Sequence, residues 1–285
     1  MNRKKKNIKN VLIAFILLLS GCLHLQGQNL EEVNQLAESH YNAGHKDAAL
    51  DFYMRVIYFD DDEVYTKKAL LNTANIYFVK EQYDRAALFY GRSALYYQGD
   101  MQTQIYQQKI SSYLLDHKYM EAYEEILHID TSTLTNEYIK KNYFLQLATI
   151  HYGLKSYDEA KENFNMLVPD SSYHLELNKI IKRVKKVERK SSALAFYMSA
   201  VFPGSGQMYA QDYADGLNSF LLTTGLFAVG VYTGINISWI DAALIVAPWW
   251  SRYHLGGMYN TAESVRKYKV NKRSEYYKMI LDMID

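Results

Sequence analysis

The longest uncharged stretch of the chain, residues 216–240, sets the strongest constraint on the fold. Its 25 residues, GLNSFLLTTGLFAVGVYTGINISWI, include no acidic or basic side chain. An α-helix that crosses the hydrocarbon core of a bilayer needs about 20 apolar residues. A second apolar stretch follows at residues 242–259. The pattern therefore predicts that the C-terminal third is a membrane module, which attaches the preceding chain to a bilayer.

The charged residues divide the chain into an acidic middle and three basic blocks. Residues 31–173 contain 22 acidic and 13 basic side chains, a net charge of −9. The basic blocks, residues 3–9, 179–190 and 266–278, each flank an apolar segment. This position is typical of topology signals and of contacts with membrane lipids. Because the middle is acidic, no nucleic-acid partner is expected.

The first residues have the pattern of a bacterial export signal. A basic start, MNRKKKNIKN, precedes ten apolar residues, VLIAFILLLS, which are too few for an ordinary transmembrane helix. Residues 19–22, Leu-Ser-Gly-Cys, resemble a lipoprotein box in which Cys22 is lipidated, and cleavage after Gly27 is the alternative. The signal peptide is predicted to be residues 1–21, or 1–27. The remaining chain is then expected in the bacterial cell envelope, with its middle region outside the cytoplasm (periplasmic).

Small and aromatic residues recur between residues 31 and 170, at steps of 37, 36 and 38 residues. The repeated positions are Ala49, Ala86, Ala122 and Ala160, with Tyr83, Tyr119 and Tyr157. The pattern resembles the tetratricopeptide repeat (TPR), whose usual period is about 34 residues, although the first helices lack the usual Trp. The resemblance implies a solenoid of about four helix pairs over residues 29–173. With only three prolines in 285 residues, the whole chain is predicted to be all-α.

Close packing explains why small residues recur in such a solenoid. The repeated alanines are expected where the second helix of each pair crosses the first, since a large side chain there would push the helices apart. One pair cannot bury its apolar face alone, so neighbouring pairs must stack. Most of the 27 tyrosines are expected to fill this core. Others would line a groove that binds a protein partner.

Residues 174–190 are predicted to form a basic amphipathic helix. Its apolar stripe consists of Leu177, Ile180, Ile181, Val184 and Val187, and the opposite face is rich in lysine and arginine. The helix could cap the last repeat with its charged face in water, or rest that face on anionic headgroups, and the two roles are compatible. A second basic helix or tail is predicted at residues 261–285.

A conspicuous motif, PGSGQMY, interrupts an uncharged run at residues 191–211. Its defining residues are Pro203, Gly204, Gly206, Gln207 and Tyr209. With the closing residues 256–271, the pattern P-G-x-G-Q-x-Y resembles a small membrane domain of unknown function from Bacteroidetes-like proteins, which sometimes follows tetratricopeptide repeats. The resemblance implies an envelope membrane protein and no established chemistry. Residues 191–260 are accordingly predicted to be a membrane module with two to three apolar helices.

The role of the PGSGQMY break decides the membrane topology. A break at membrane depth needs protein or water to satisfy the freed backbone groups, so the motif is either a kink packed against the following helices or a short re-entrant turn. If residues 191–211 cross the bilayer, the chain makes three passes and its basic tail is cytoplasmic. A re-entrant turn gives two passes, with both later basic blocks outside. The positive-inside tendency favours three passes.

Gly230 and Gly234 form a G-x-x-x-G pair on the longest apolar stretch. Such a pair permits close contact between two membrane helices, although glycines also occur by chance in membrane helices. Trp239, Trp249 and Trp250 suit a membrane interface.

No catalytic, cofactor-binding or metal-binding pattern is found. Residues 204–206, Gly-Ser-Gly, are one residue short of a nucleophile elbow, and neither H-E-x-x-H nor a phosphate-binding loop occurs. The acidic run at residues 60–63 lacks the glycine and alternating ligands of a calcium loop. The chain is therefore predicted to be non-enzymatic, with no cofactor.

Two functional hypotheses remain. The leading one is a membrane-anchored tetratricopeptide scaffold that recruits protein partners at the bacterial cell envelope. The alternative is that the membrane module is a transport or channel accessory, or a membrane-assembly element, which the repeats regulate. The sequence identifies neither the partner nor the oligomeric state.

Overall fold

The computed structural model describes residues 29–284. The predicted export signal and Cys22 lie outside the described residues. The described part of the chain is built from α-helices with short turns and contains no strand, so the all-α prediction is confirmed. The chain forms two compact units, which divide between Ser156 and Tyr157.

From residue 29 onwards, the first unit consists of seven α-helices in consecutive packed hairpins, an arrangement compatible with a tetratricopeptide-like repeat. The helices are α1 (Leu30–Asn42), α2 (Lys46–Phe59), α3 (Thr66–Val79), α4 (Tyr83–Ala94), α5 (Gly99–Leu115), α6 (Tyr119–Ile126) and α7 (Glu137–Gly153). A short 3-10 turn, Thr131–Thr133, precedes α7.

The turns inside the hairpins repeat with the same spacing as the alanines. Each turn has one residue in the left-handed region, at Gly44, Glu81, His117 and Lys155. Around Glu81, the Gln82 amide bonds the Tyr77 carbonyl and the Glu81 amide bonds the Phe78 carbonyl, and the other three turns have equivalent bonds. These pairs are the bonds of a helix C-terminal cap of the Schellman type. Each predicted repeat therefore contains one such turn, five residues before its alanine.

Buried tyrosines contribute to the core of the first unit. Tyr53 and Tyr90 are almost fully buried, and each hydroxyl lies 2.8 Å from an asparagine side chain, Asn72 for Tyr53 and Asn75 for Tyr90. Burial raises the pKa of Tyr53 to about 12, and the hydrogen bond from Asn72 opposes part of that rise. The hydroxyls are therefore satisfied inside the unit, which is what burying a polar group requires.

The second unit combines two amphipathic helices with the apolar C-terminal segments. Its elements are α8 (Tyr157–Asn165), α9 (Ser171–Glu188), α10 (Ser192–Val201), α11 (Ser205–Tyr209), α12 (Tyr213–Asn236), α13 (Trp239–Asp241), a π-helical turn (Ala242–Val246) and α14 (Ala247–Leu281). The units divide between α7 and α8, which are the two helices of the predicted fourth pair. The end of the solenoid at residue 173 stays a prediction.

The helices α12 and α14 pack as a long antiparallel hairpin. At one end, the Ser264 hydroxyl donates to the Asp212 carboxylate at 2.9 Å. Towards the other end, Gly230 lies against Val246, and the chain reverses between α12 and α13. Within the described residues, α12 is the helix that is both long and apolar enough to cross a membrane, and its 24 residues extend about 36 Å. The predicted boundary at residue 260 lies inside α14, which is continuous from the apolar stretch into the basic tail.

Candidate functional site

The repeated alanines all lie in helix interfaces. Ala49, Ala86, Ala122 and Ala160 are fully buried. Among the repeated tyrosines, Tyr157 is buried, and Tyr83 and Tyr119 are half-buried. The Tyr119 ring occupies the space beside Gly153, where a methyl group would lie 2.2 Å from a ring carbon. The four alanines and Tyr157 are therefore covered by other parts of the chain, and Tyr119 packs against Gly153.

A groove of about 890 Å³ crosses α4, α5 and α6 in the first unit. Leu88 and Leu95 on its wall are 59% and 75% exposed. Lys109 and Glu125 form an ion pair at 2.5 Å, with both side chains largely buried. Burial, followed by the nearby Glu125 carboxylate, raises the pKa of Tyr113 above its ordinary value. The groove thus offers exposed leucines beside a paired charge, a surface suited to a peptide with apolar side chains.

The PGSGQMY motif lies at the centre of the second unit. Gln207 is 1% exposed. Its side-chain oxygen accepts from the Ser199 hydroxyl at 3.0 Å, and its nitrogen donates to the Gly257 carbonyl at 2.7 Å. The Ser199 oxygen in turn accepts from the Gly206 amide at 2.9 Å. This network, here called the Gln207 network, joins α10, α11 and α14 through buried hydrogen bonds.

Close backbone contacts explain the glycines of the motif. Gly204 has φ +83°, in the left-handed region, and a methyl group on it would lie 2.1 Å from the Gly216 carbonyl oxygen. A methyl group on Gly206 would lie 2.0 Å from the Ala195 carbonyl oxygen. Neither backbone atom can move without shifting a helix. The motif therefore allows three segments to approach within distances that a larger residue would prevent.

The segment from α10 to α11 turns back on itself. Its start and end meet, since the Ser191 amide lies 3.4 Å from the Tyr209 hydroxyl and the Lys190 ammonium donates to the Tyr209 carbonyl. The Lys190 nitrogen also lies 4.5 Å and 4.3 Å from the ring centres of Tyr209 and Tyr268. Burial lowers the pKa of Lys190 below its ordinary value. The segment is therefore a tight turn packed against α12 and α14. This is the shape that the re-entrant alternative requires, and the segment is called the re-entrant turn below.

The next turn, between α11 and α12, repeats the hairpin pattern of the first unit, which the sequence analysis missed. Gln211 has a left-handed φ of 62°, and the Asp212 and Gln211 amides bond the Gln207 and Met208 carbonyls as the solenoid turns do. Gly216 follows five residues later, and Gly204 and Gly216 are separated by 12 residues, as Ala74 and Ala86 are. The signal was visible in that spacing. The motif is thus a fifth hairpin of the repeat type, built into the apolar module.

The G-x-x-x-G pair lies in the α12 hairpin and contacts the chain segment that follows. A methyl group on Gly234 would lie 2.4 Å from the Trp239 ring. Trp239 and Trp249 are 64% and 54% exposed, while the Trp250 ring stacks on His254 at 4.9 Å. Both glycines therefore serve a contact within the chain.

The helix α9 has the amphipathic character expected from its sequence. All five residues of its apolar stripe are buried. The Glu188 carboxylate accepts from Arg273 on α14 at 3.1 Å, and the Lys185 ammonium lies 2.6 Å from the Asp158 carboxylate on α8. Lys182, Arg183, Lys186 and Arg189 remain exposed on the opposite face. The helix is thus fixed between α8 and α14, with a basic face turned outwards.

The acidic run at residues 60–63 has a structural use. The Asp60 carboxylate accepts from the amides of Val64, Tyr65 and Thr66 and from the Thr66 hydroxyl, at 2.6–3.2 Å. Burial alone would raise the pKa of Asp60, but these hydrogen bonds outweigh it and lower the pKa below its ordinary value. Asp60 therefore holds the turn before α3. In the described part of the chain, no group of three or more His, Cys, Asp or Glu side chains is arranged to hold a metal ion.

No protein-family model matches the chain, and no curated protein matches it. The fold and the site define a class: consecutive helical hairpins followed by an apolar helical module. The tetratricopeptide resemblance thus depends on the hairpins, their turns and their spacing.

Proposed function

We propose that the protein is a non-enzymatic, membrane-anchored scaffold of the tetratricopeptide type, which recruits a protein partner at the bacterial cell envelope. The observation that carries this proposal is the exposure of α12, because only 11% of its most apolar 18 residues are buried. A core helix of a soluble domain would bury most of such a stretch. In a lipid bilayer, the exposed apolar surface of α12 is stable without being buried by other protein.

The groove across α4, α5 and α6 is the proposed partner site. Exposed apolar side chains beside an ion pair suit the apolar anchors of a partner segment. The N-terminal export pattern supports a location outside the cytoplasm, with Cys22 as the lipid anchor in the lipoprotein alternative. The positive-inside tendency, applied to the two later basic blocks, favours a cytoplasmic position for both blocks.

Site-specific photocrosslinking in the full chain tests the scaffold proposal. A photoreactive residue replaces Leu88 or Leu95 in the groove, and Val79 or Tyr138, which are 58% and 73% exposed outside it, serve as matched controls. We expect one discrete crosslinked protein from the groove positions and none from the controls. Equal crosslinking at all four positions would show that the groove does not select a partner.

The alternative proposal makes the apolar module the active element. It is favoured by two buried hydroxyls, on Ser205 and Thr223, which have no hydrogen-bond partner among the described residues. Buried polar groups without partners in an apolar module are typical of sites that admit water or a polar solute. If this alternative holds, cells with Thr223→Val should show the same defect as cells that lack the protein, while the chain remains folded and the groove still crosslinks its partner. Cells with Thr223→Val that behave as wild type would exclude this alternative.

A further inference from the structure

The exposed face of α9 carries four cations that have no described partner. Lys182, Arg183, Lys186 and Arg189 are all exposed, and none forms an ion pair or a hydrogen bond with a described residue. They recur at steps of one, three and three residues, so they share one side of the helix. This surface is called the α9 basic face below.

The two acidic residues of α9, Glu176 and Glu188, are both paired. The Glu188 carboxylate is directed to α14, where it forms ion pairs with Arg273 at 3.1 Å and Lys269 at 4.0 Å. Glu176 pairs with Lys179 at 3.0 Å. Among the residues of α9, its basic face therefore has a single sign of charge. The exposed surface of α14 has mixed charges instead, where Arg266 pairs with Glu263 and Lys272 with Glu275.

The α9 basic face ends where the apolar module begins. Lys190, the next residue after Arg189, is held against Tyr209 and Tyr268 at the base of the re-entrant turn. Ser264 and Asp212 join α14 to the start of α12 at the same end of the hairpin. The exposed Lys267 adjoins Tyr268 in sequence and adds another cation there. Hence insertion of the α12 hairpin would bring these cations to the bilayer surface.

We propose that the α9 basic face binds the headgroups of anionic phospholipids. The proposal rests on the proposed function, because it requires that the α12 hairpin is inserted in a bilayer. Continuity with the apolar module favours lipid over an acidic soluble protein, since the module keeps these cations close to the headgroups. Each cation near an anionic surface raises the affinity by about fivefold.

The test measures lipid retention by the full chain in mixed micelles of nonionic detergent with phosphatidylglycerol or phosphatidylcholine. Retained lipid is counted by native mass spectrometry. The test variant carries Lys182→Gln, Arg183→Gln and Lys186→Gln. The matched control carries Lys140→Gln, Lys141→Gln and Lys155→Gln, three exposed cations of the first unit. A third variant, Lys182→Arg, Arg183→Lys and Lys186→Arg, keeps the charge.

The wild type, the matched control and the charge-keeping variant should prefer phosphatidylglycerol, and the glutamine variant of α9 should bind it at least tenfold more weakly. High salt should reduce the preference, because exposed charges are screened. A glutamine variant that keeps the wild-type preference would overturn the proposal. So would a wild type that retains both lipids equally.

A second measurement separates this proposal from the proposed function. The wild type and the glutamine variant of α9 are each mixed with vesicles of phosphatidylcholine alone and floated on a density gradient. If the wild type and the variant both float, and the wild type shows no preference for phosphatidylglycerol in micelles, only the headgroup proposal is overturned and membrane anchoring stands. Failure of the wild type to float overturns membrane anchoring, and the headgroup proposal that depends on it falls as well.

Discussion

The Gln207 side-chain nitrogen donates to the backbone carbonyl of Gly257 at 2.7 Å, across fifty positions of sequence. The same amide accepts from Ser199, so one side chain joins α10, α11 and α14. In an apolar environment each of these groups needs a partner, because water is not there to replace it. Gln207 therefore contributes buried hydrogen bonds that hold the re-entrant turn against the hairpin.

Replacing Gln207 should destabilise the second unit specifically. The Gln207→Ala variant leaves the Ser199 hydroxyl and the Gly257 carbonyl without their partner, and each such loss costs about 1–3 kcal/mol. The thermal midpoint of the detergent-solubilised full chain should fall by several degrees. Asn218→Ala, at an exposed amide on α12, is the control and should leave the midpoint unchanged. A Gln207→Ala chain as stable as wild type would show that the Gln207 network contributes little.

The motif glycines should be intolerant of even one methyl group. Gly206→Ala places a methyl group 2.0 Å from the Ala195 carbonyl oxygen, and Gly204→Ala adds a left-handed backbone to a contact of 2.1 Å. Overpacking of this kind costs about 1–3 kcal/mol or more, and the left-handed residue a further 1–2 kcal/mol or so. A methyl group on Gly225 would have no neighbour within 4 Å, so Gly225→Ala should leave the thermal midpoint unchanged or raise it. Equal thermal midpoints for all three variants would disprove the close contacts.

Much of the first unit could be predicted from local sequence, because its repeats depend on short-range spacing. A left-handed turn lies five positions before each repeated alanine, and in three of the four repeats another alanine lies 12 positions before it. Ala86 alone therefore nearly fixes the position of its turn at Glu81. The same argument places the buried stripe of α9, since one helical period determines which of its residues are covered.

The second unit was harder to predict because its contacts connect distant positions. Nothing close to Gln207 in sequence indicates that its partner is the carbonyl of Gly257, which every residue type possesses. In the sequence, Lys190 is one more cation in a basic block. Only the structure shows that it lies beside the rings of Tyr209 and Tyr268. The fifth hairpin escaped notice because Pro203 and the glycines suggested a membrane break, although Gly204 and Gly216 keep the spacing of the solenoid.

The Asp60 carboxylate should make the stability of α3 depend on pH. Its folded-state pKa is lowered, chiefly by amide hydrogen bonds that outweigh burial, so its contribution is fully present above the unfolded pKa of about 4. It is lost as the pH falls through the lower, folded pKa. Removing it in Asp60→Ala should cost about 1–2 kcal/mol at pH 7, as loss of a helix cap does.

Hydrogen exchange of the first-turn amides of α3 in the full chain measures this effect. The difference between wild type and Asp60→Ala should be constant from pH 7 to 5 and shrink below pH 4. Asp60→Asn keeps an acceptor without a charge, so it should show an intermediate protection that does not change with pH. A wild-type advantage that persists unchanged at low pH would exclude the ionised carboxylate as its source.

The re-entrant turn makes a topology prediction that differs from the three-pass expectation. Because Ser191 and Tyr209 meet, residues on either side of this segment should face the same side of the bilayer, and α12 and α14 then make two passes. Single cysteines at Lys179, Ala214 and Lys278, all exposed, should react alike with a membrane-impermeant maleimide in spheroplasts. A cysteine at Ile237, at the other end of the hairpin, should react oppositely. The parent chain, which has only Cys22, gives the background.

Three passes would instead place Ala214 on the side opposite to Lys179, so this one pair of positions separates the two topologies. Labelling of Lys179→Cys in intact spheroplasts would place the solenoid outside the cytoplasm, as the export pattern requires. Protection of Lys179, Ala214 and Lys278 with labelling of Ile237→Cys would keep the two-pass hairpin but reverse it. The basic blocks would then follow the positive-inside tendency, and the partner of the groove would have to be sought in the cytoplasm.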